Sequence, residues 1–187
     1  MGMLGMAEPV IVGGEMRRDT IREELSVYLR ERFRPLPEGS ERAEPDVYIG
    51  SLSEFRQKPD LSSKQAADLS ELLGELGSSF HEQLFSLINS SGMTDTEVYR
   101  RAGLDRKLFS KIRSNPAYHP RKQTVLAICV ALKLNIEAAE DLMSRAGYAF
   151  SPGSKGDLIV KFFIEHKVYD IDAVNFMLEE YGESALS

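Results

Sequence analysis

Hydrophobic positions follow a helical period most clearly between residues 80 and 147. Phe80, Leu84, Leu87 and Ile88 recur at helical spacing. Gly92 follows this run, and glycine is the residue type that most often ends a helix. The pattern therefore predicts a first helix that begins near Phe80 and ends at Gly92.

Capping residues mark the next two helices. Thr94 and Glu97 have the spacing of a capping box, in which each side chain bonds to the backbone N–H of the other residue. Gly103 can supply a tight turn, and Asp105 is placed to cap the helix that follows. We predict a short helix that ends near residue 102 and another that runs from Asp105 to about Ser114.

Two further helices complete this part of the chain. One is predicted from about Gln123 to Leu134, and its inward positions are Val125, Ile128, Cys129 and Leu132. Asn135 is expected to cap the other helix, which Gly147 ends.

An earlier helix is predicted before this region. Thr20 and Glu23 form another capping box, and the helix should end by Phe33, because a residue before proline avoids the helical conformation. The apolar face of this helix consists of Ile21, Leu25, Tyr28 and Leu29. Beyond it we interpret residues 35–45 as a proline-rich linker, 46–55 as one short extended segment and 60–76 as a helix.

A pair of helices is predicted after the Ser151-Pro152-Gly153 turn. The first covers about residues 155–166, and the second is capped by Asp170 and runs to Tyr181. These helices are rich in large apolar side chains, namely Phe162, Phe163, Tyr169, Phe176 and Met177. The side chains either pack against the preceding helix or form a dimer surface, and the sequence favours neither.

Composition excludes several classes of function. Apolar residues make up 42% of the 187 residues, and no apolar run reaches the roughly 18 residues that a membrane span needs. The N-terminus lacks the basic start of a signal peptide, so we expect a cytoplasmic protein. One cysteine and three scattered histidines offer no spacing for a metal site, and no catalytic constellation or nucleotide fingerprint is present. We therefore expect neither a cofactor nor enzymatic activity.

Charge is unevenly distributed along the chain. The net charge is −6, but residues 94–122 hold eight basic and three acidic residues, a net charge of +5, which leaves −11 for the rest. A cationic segment inside an acidic protein is typical of a site for a polyanion. The alternative is a solvated helix face with a surplus of lysine and arginine.

The second and third predicted helices of this region have the order of a helix-turn-helix. A short helix, a turn with Gly103 and a capped helix give the near-perpendicular pair that lays its second helix in the major groove of DNA. We expect Leu108 and Ile112 to hold this second helix against the core, with Phe109 either packing beside them or reaching a thymine methyl group. Polar side chains on the other faces would then be available to DNA.

Residues 94–142 resemble the lambda-repressor-like Cro/repressor family of helix-turn-helix domains, also called the xenobiotic-response-element family. The resemblance rests on the capped start at Thr94, the Ala102-Gly103-Leu104 turn and Ser110-Lys111-Ile112. It continues through Thr124-Val125 and Asn135-Ile136. About seventy residues are covered when the helix from Phe80 is counted.

The resemblance implies a DNA-recognition helix at residues 105–114. It implies that four side chains of this helix face the groove, Arg106, Lys107, Ser110 and Lys111. It also implies that three cations lie nearer phosphates, Arg113, Arg121 and Lys122. The family usually has glutamine at the position of Asp95, where a carboxylate would repel a phosphate unless it turns away. The family favours a small residue where this chain has Tyr99.

These observations predict an all-α protein with a five-helix domain at its centre. We divide it into an N-terminal extension (1–59), a connecting helix (60–78), the helix-turn-helix domain (79–147) and a C-terminal helical pair (148–187). The expected function is sequence-specific binding of double-stranded DNA by a homodimeric transcriptional regulator of bacterial or phage type. The alternative is a protein-interaction adaptor that uses the helix-turn-helix scaffold without binding DNA. The N-terminal extension and the C-terminal helices are candidate sites for a protein partner.

Overall fold

A computed structural model of the chain describes residues 18–35 and 79–186. Within these ranges every regular element is a helix. The helices are α1 (Arg18–Arg32), α2 (Phe80–Ser91), α3 (Asp95–Arg101), α4 (Arg106–Ser114), α5 (Lys122–Ala131), α6 (Ile136–Arg145), α7 (Lys155–Glu165) and α8 (Ile171–Glu180). The prediction of an all-α fold is confirmed. The linker, extended segment and helix predicted between residues 36 and 78 lie outside the described residues.

The first helix begins earlier than its capping signal indicated. Helix α1 already includes Arg18, so Thr20 lies inside its first turn and does not cap the helix. Its predicted apolar face is confirmed, because Ile21, Leu25, Tyr28 and Leu29 are all buried.

The caps of α3 and α4 form as predicted. Thr94 Oγ1 accepts a hydrogen bond from the Glu97 amide at 3.3 Å, and the Thr94 amide donates to Glu97 Oε2 at 2.8 Å. Gly103 has a φ of +65°, a conformation that costs glycine little. Asp105 Oδ1 accepts from the Lys107 amide at 2.6 Å. These local bonds fix where α3 and α4 begin and how the chain turns between them.

Helix α5 forms the centre of the core. It was predicted to bury one face, but every residue from Thr124 to Ala131 is buried, because α3, α6 and α8 all pack against this helix. The helix also ends at Ala131 instead of near Leu134. Lys133 has a φ of +53°, and its left-handed conformation turns the chain towards the Asn135 cap of α6.

Helices α1, α7 and α8 share the same continuous core as the central domain. Helix α1 packs on α7, where the rings of Tyr28 and Phe162 meet edge to face at 5.3 Å. Tyr28 also donates a hydrogen bond of 2.8 Å to Glu165. Phe163 and Met177 are buried, whereas the Phe176 side chain is 40% exposed. Large apolar side chains therefore pack the C-terminal pair of helices against the central helices.

Candidate nucleic-acid interface

Helices α3 and α4 form a packed pair whose contact is apolar and buried. Val98 of α3 and Ala102 at its C-cap are fully buried, and Leu104 closes the turn between the two helices. On α4 the buried residues are Phe109 and Ile112. The short turn and this shared core fix the orientation of α4 and leave its remaining faces at the surface.

The core-facing side of α4 differs from the predicted one by a single residue. Leu108 was expected in the core, but it is only partly buried, and Phe109 occupies the inward position with 3% of its surface exposed. The Phe109 ring lies between two other aromatic rings, 6.0 Å from that of Tyr99 and 6.4 Å from that of Phe85. Phe109 therefore packs and cannot reach a thymine methyl group. The same contact accommodates the large side chain of Tyr99.

Three of the predicted contact residues lie together on the exposed side of α4. Arg106, Lys107 and Ser110 are all exposed. Within the described ranges, neither Arg106 nor Lys107 forms an ion pair with a carboxylate. The first two turns of α4 thus present cationic side chains that the described part of the protein does not neutralise.

Lys111 is exposed but is held by the loop that follows α4. Its ammonium lies 4.5 Å from the centroid of the Tyr118 ring, a cation–π distance. The loop is itself fixed to the end of α6, because the Tyr148 hydroxyl donates to the Pro120 carbonyl at 3.0 Å and contacts His119. Tyr118 and His119 therefore take part in packing the loop next to α4.

Arg113 is partnered at the end of α4. Its guanidinium forms a 2.9 Å ion pair with Asp95 Oδ1 and lies 4.5 Å from the centroid of the Phe85 ring. The Asp95 carboxylate thus faces a cation, and 37% of its side chain stays exposed. About half of the Arg113 side chain stays exposed. No local pattern indicates this pair, because its members are 18 residues apart.

The two remaining cations of the predicted set have different surroundings. Arg121 is exposed at the N-terminus of α5. Lys122 instead pairs with Asp157, a buried residue in the first turn of α7 that also accepts a 2.7 Å hydrogen bond from the Ser151 amide. Its ammonium thus binds a carboxylate of the protein itself, at the junction of α5 and α7.

Glu97 and Cys129 have shifted pKa values. Hydrogen bonds from the backbone and side chain of Thr94 lower the pKa of Glu97 below the usual range of a glutamate. Burial raises the pKa of the Cys129 thiol to about 12. Since redox-sensing cysteines react as thiolates, the structure favours the interpretation of Cys129 as a small buried core residue.

Among the residues that the structure describes, no group of three or more histidine, cysteine, aspartate or glutamate side chains is arranged to hold a metal ion. No helix in these ranges combines the length and apolar character needed to cross a membrane.

Comparison with known families bears directly on α3 and α4. Residues 84–145 match the model of the Cro/C1-type helix-turn-helix DNA-binding domain. The match begins inside α2 and ends with α6, so it contains the whole α3–turn–α4 unit and the buried α5. The predicted resemblance is confirmed for this part of the chain. No curated protein matches the chain. No solved structure matches it either.

Proposed function

We propose that the protein is a sequence-specific, DNA-binding transcriptional regulator of bacterial or phage type, because residues 84–145 match the model of the Cro/C1-type helix-turn-helix DNA-binding domain. It acts in the cytoplasm, by binding and not by catalysis. The observation that carries the proposal is the exposed cationic side of α4, where Arg106 and Lys107 have no carboxylate partner in the described residues. Such side chains suit the anionic, acceptor-rich major groove.

The proposed contact residues form two groups, one that contacts base edges and one that contacts phosphates. Arg106, Lys107 and Ser110 lie on the first two turns of α4 and would contact base edges, together with Lys111. Arg113 and Arg121 would contact phosphates on either side of the groove. Phosphate contacts supply affinity that does not depend on sequence, whereas base contacts supply the sequence preference.

One recognition helix reads few base pairs, so we propose that two copies bind a two-fold symmetric site. The half-sites of such a dimer lie about 34 Å apart, or a multiple of that distance. Val27 of α1 and Phe176 of α8 are the large apolar side chains most exposed in the described residues, at 46% and 40%. We place the dimer contact on these outer helices, which leaves α4 open to DNA.

A protein-binding adaptor is the second candidate. It is favoured by the net charge of −6 and by the pairing of Arg113 and Lys122 with the protein's own carboxylates. Salt separates the two candidates, because DNA affinity falls by roughly 0.9 log units per decade of salt for each phosphate contact.

The test is selection of bound duplexes from a random DNA pool, carried out with the full chain and with an Arg106→Ala/Lys107→Ala variant. We expect the full chain to enrich one sequence with two-fold symmetry and the variant to enrich it poorly. Equal enrichment by both proteins would refute the assignment of α4 as the reading helix. No enrichment by the full chain would refute sequence-specific binding.

A further inference from the structure

The Asp95–Arg113 pair joins the two helices of the proposed DNA-binding unit at a surface position. Asp95 is the first residue of α3, and Arg113 lies in the last turn of α4. A carboxylate beside a DNA-binding surface ordinarily weakens binding, because it repels phosphates. The contacts of Arg113 indicate that the Asp95 carboxylate instead strengthens DNA binding.

Two contacts hold the Arg113 side chain, and a third is made by its backbone. Asp95 Oδ1 accepts from one terminal nitrogen at 2.9 Å, and the guanidinium carbon lies over the Phe85 ring, 4.5 Å from the ring centroid. His81 Nε2 lies 3.0 Å from the Arg113 carbonyl oxygen. A guanidinium has five N–H donors in a rigid plane, and the bond to Asp95 uses one of them. The remaining donors sit on a side chain that is 52% exposed.

Holding the side chain in advance lowers the entropy lost when a ligand binds. A free arginine samples many rotamers and loses that freedom on contact with a phosphate, whereas a preorganised one has already lost it. Arginine also suits this role chemically, because its planar fork matches the geometry of phosphate oxygens.

We infer that Asp95 is a positioning residue for DNA binding, which aims the free donors of Arg113 at a phosphate and so raises affinity despite its own negative charge. This inference rests on the proposed function. The direction of the change in DNA affinity tests this inference. Removing a carboxylate that only repels DNA tightens binding, whereas removing one that positions Arg113 weakens binding.

The test compares the DNA affinity of full-chain variants by fluorescence anisotropy at several salt concentrations, on the duplex selected from the random pool. Asp95→Ala is expected to weaken binding by about 2- to 10-fold, the range that one immobilised side chain supports. It should also lower the salt slope by about 0.9, as loss of one phosphate contact does. Asp95→Asn keeps an oxygen that can accept from Arg113, so it should retain more affinity than Asp95→Ala.

Arg113→Ala and the double variant Asp95→Ala/Arg113→Ala complete the cycle. If Asp95 acts through Arg113, the double variant binds no more weakly than Arg113→Ala alone. The matched control is Glu137→Gln, which removes an exposed carboxylate from the first turn of α6. It should leave the salt slope unchanged. Thermal melts identify any variant that has simply lost its fold.

The possible results distinguish the positioning role of Asp95 from the proposed DNA-binding function. Tighter or unchanged binding by Asp95→Ala overturns the positioning role, and so does a loss of affinity with no change in salt slope. In either case the proposed function stands as long as Arg106→Ala weakens binding. If the unaltered chain shows no salt-dependent binding to the selected duplex, both the proposed function and the role of Asp95 are overturned.

Discussion

The Lys122 ammonium at the start of α5 pairs with the buried Asp157 carboxylate in the first turn of α7. Asp157 also accepts a hydrogen bond from the Ser151 amide. One carboxylate therefore links the central domain, the connection after α6 and the C-terminal pair. The family match ends at residue 145, yet this ion pair makes α7 part of the same folded unit. The C-terminal helices therefore stabilise the domain that carries α4.

Replacing Asp157 should destabilise the protein strongly. Asp157→Ala leaves the Lys122 ammonium and the Ser151 N–H without their acceptor, and breaking a buried pair costs about 3–5 kcal/mol. Because the Lys122 side chain is 26% exposed, water compensates in part, and we expect a loss of about 2–3 kcal/mol. Urea denaturation followed by circular dichroism measures this change.

The surface pair Lys161–Glu140 provides the matched control for this prediction. Its carboxylate side chain is 50% exposed, so Glu140→Ala should cost less than about 1 kcal/mol. If Asp157→Ala and Glu140→Ala lowered the free energy of unfolding equally, the Lys122–Asp157 pair between α5 and α7 would be no stronger than an ordinary surface ion pair.

The two neighbouring apolar residues of α4 should differ in their effect on stability. Phe109 is buried between two aromatic rings, so Phe109→Ala should cost about 3–5 kcal/mol, the usual range for a buried phenylalanine. Leu108 is partly exposed, and Leu108→Ala should cost clearly less. Denaturant unfolding of both variants tests the assignment. A larger loss for Leu108→Ala would mean that α4 turns its other face to the core.

This pair of residues shows what periodicity can and cannot predict. Neighbouring positions on a helix are about 100° apart, so a short helix with Leu108 and Phe109 next to each other is compatible with two orientations of its apolar face. The choice depends on rings contributed by Phe85 and Tyr99, which no local pattern reveals. The prediction placed the helix and Ile112 correctly and left the packing of Phe109 open, but it expected Leu108 to be more deeply buried than it is.

The local signals of the helix-turn-helix were predictable because each depends on one residue or on partners within three positions. The Thr94–Glu97 box, the Gly103 turn and the Asp105 cap formed as predicted. The Thr20–Glu23 box did not, because α1 already includes Arg18. The Asp95–Arg113 and Lys122–Asp157 pairs join residues 18 and 35 positions apart. Such pairs exist only once the helices have packed, so the partners of two of the predicted contact cations could not be derived from the sequence.

The capping box should make stability depend on pH in the acidic range. Glu97 has a lowered pKa when folded, because Thr94 donates hydrogen bonds to its carboxylate. Its contribution is therefore fully present above the pKa of an unfolded glutamate and is lost as pH falls through the lower folded pKa. Unfolding measured across this range should show a smaller acid-induced loss of stability in Glu97→Gln than in the parent. Parallel curves for the two proteins would contradict this assignment.

The most direct test of the central claim is the affinity of an Arg106→Ala/Lys107→Ala variant for the selected duplex. The control is Lys133→Gln/Lys167→Gln, which removes two exposed positive charges from left-handed turns outside α4. We expect the α4 variant to bind about tenfold more weakly or worse, because a single good base contact contributes about 1–3 kcal/mol. Its thermal stability should equal that of the parent, and the control should keep most of its affinity. Parental affinity in the α4 variant would contradict the claim that α4 reads DNA.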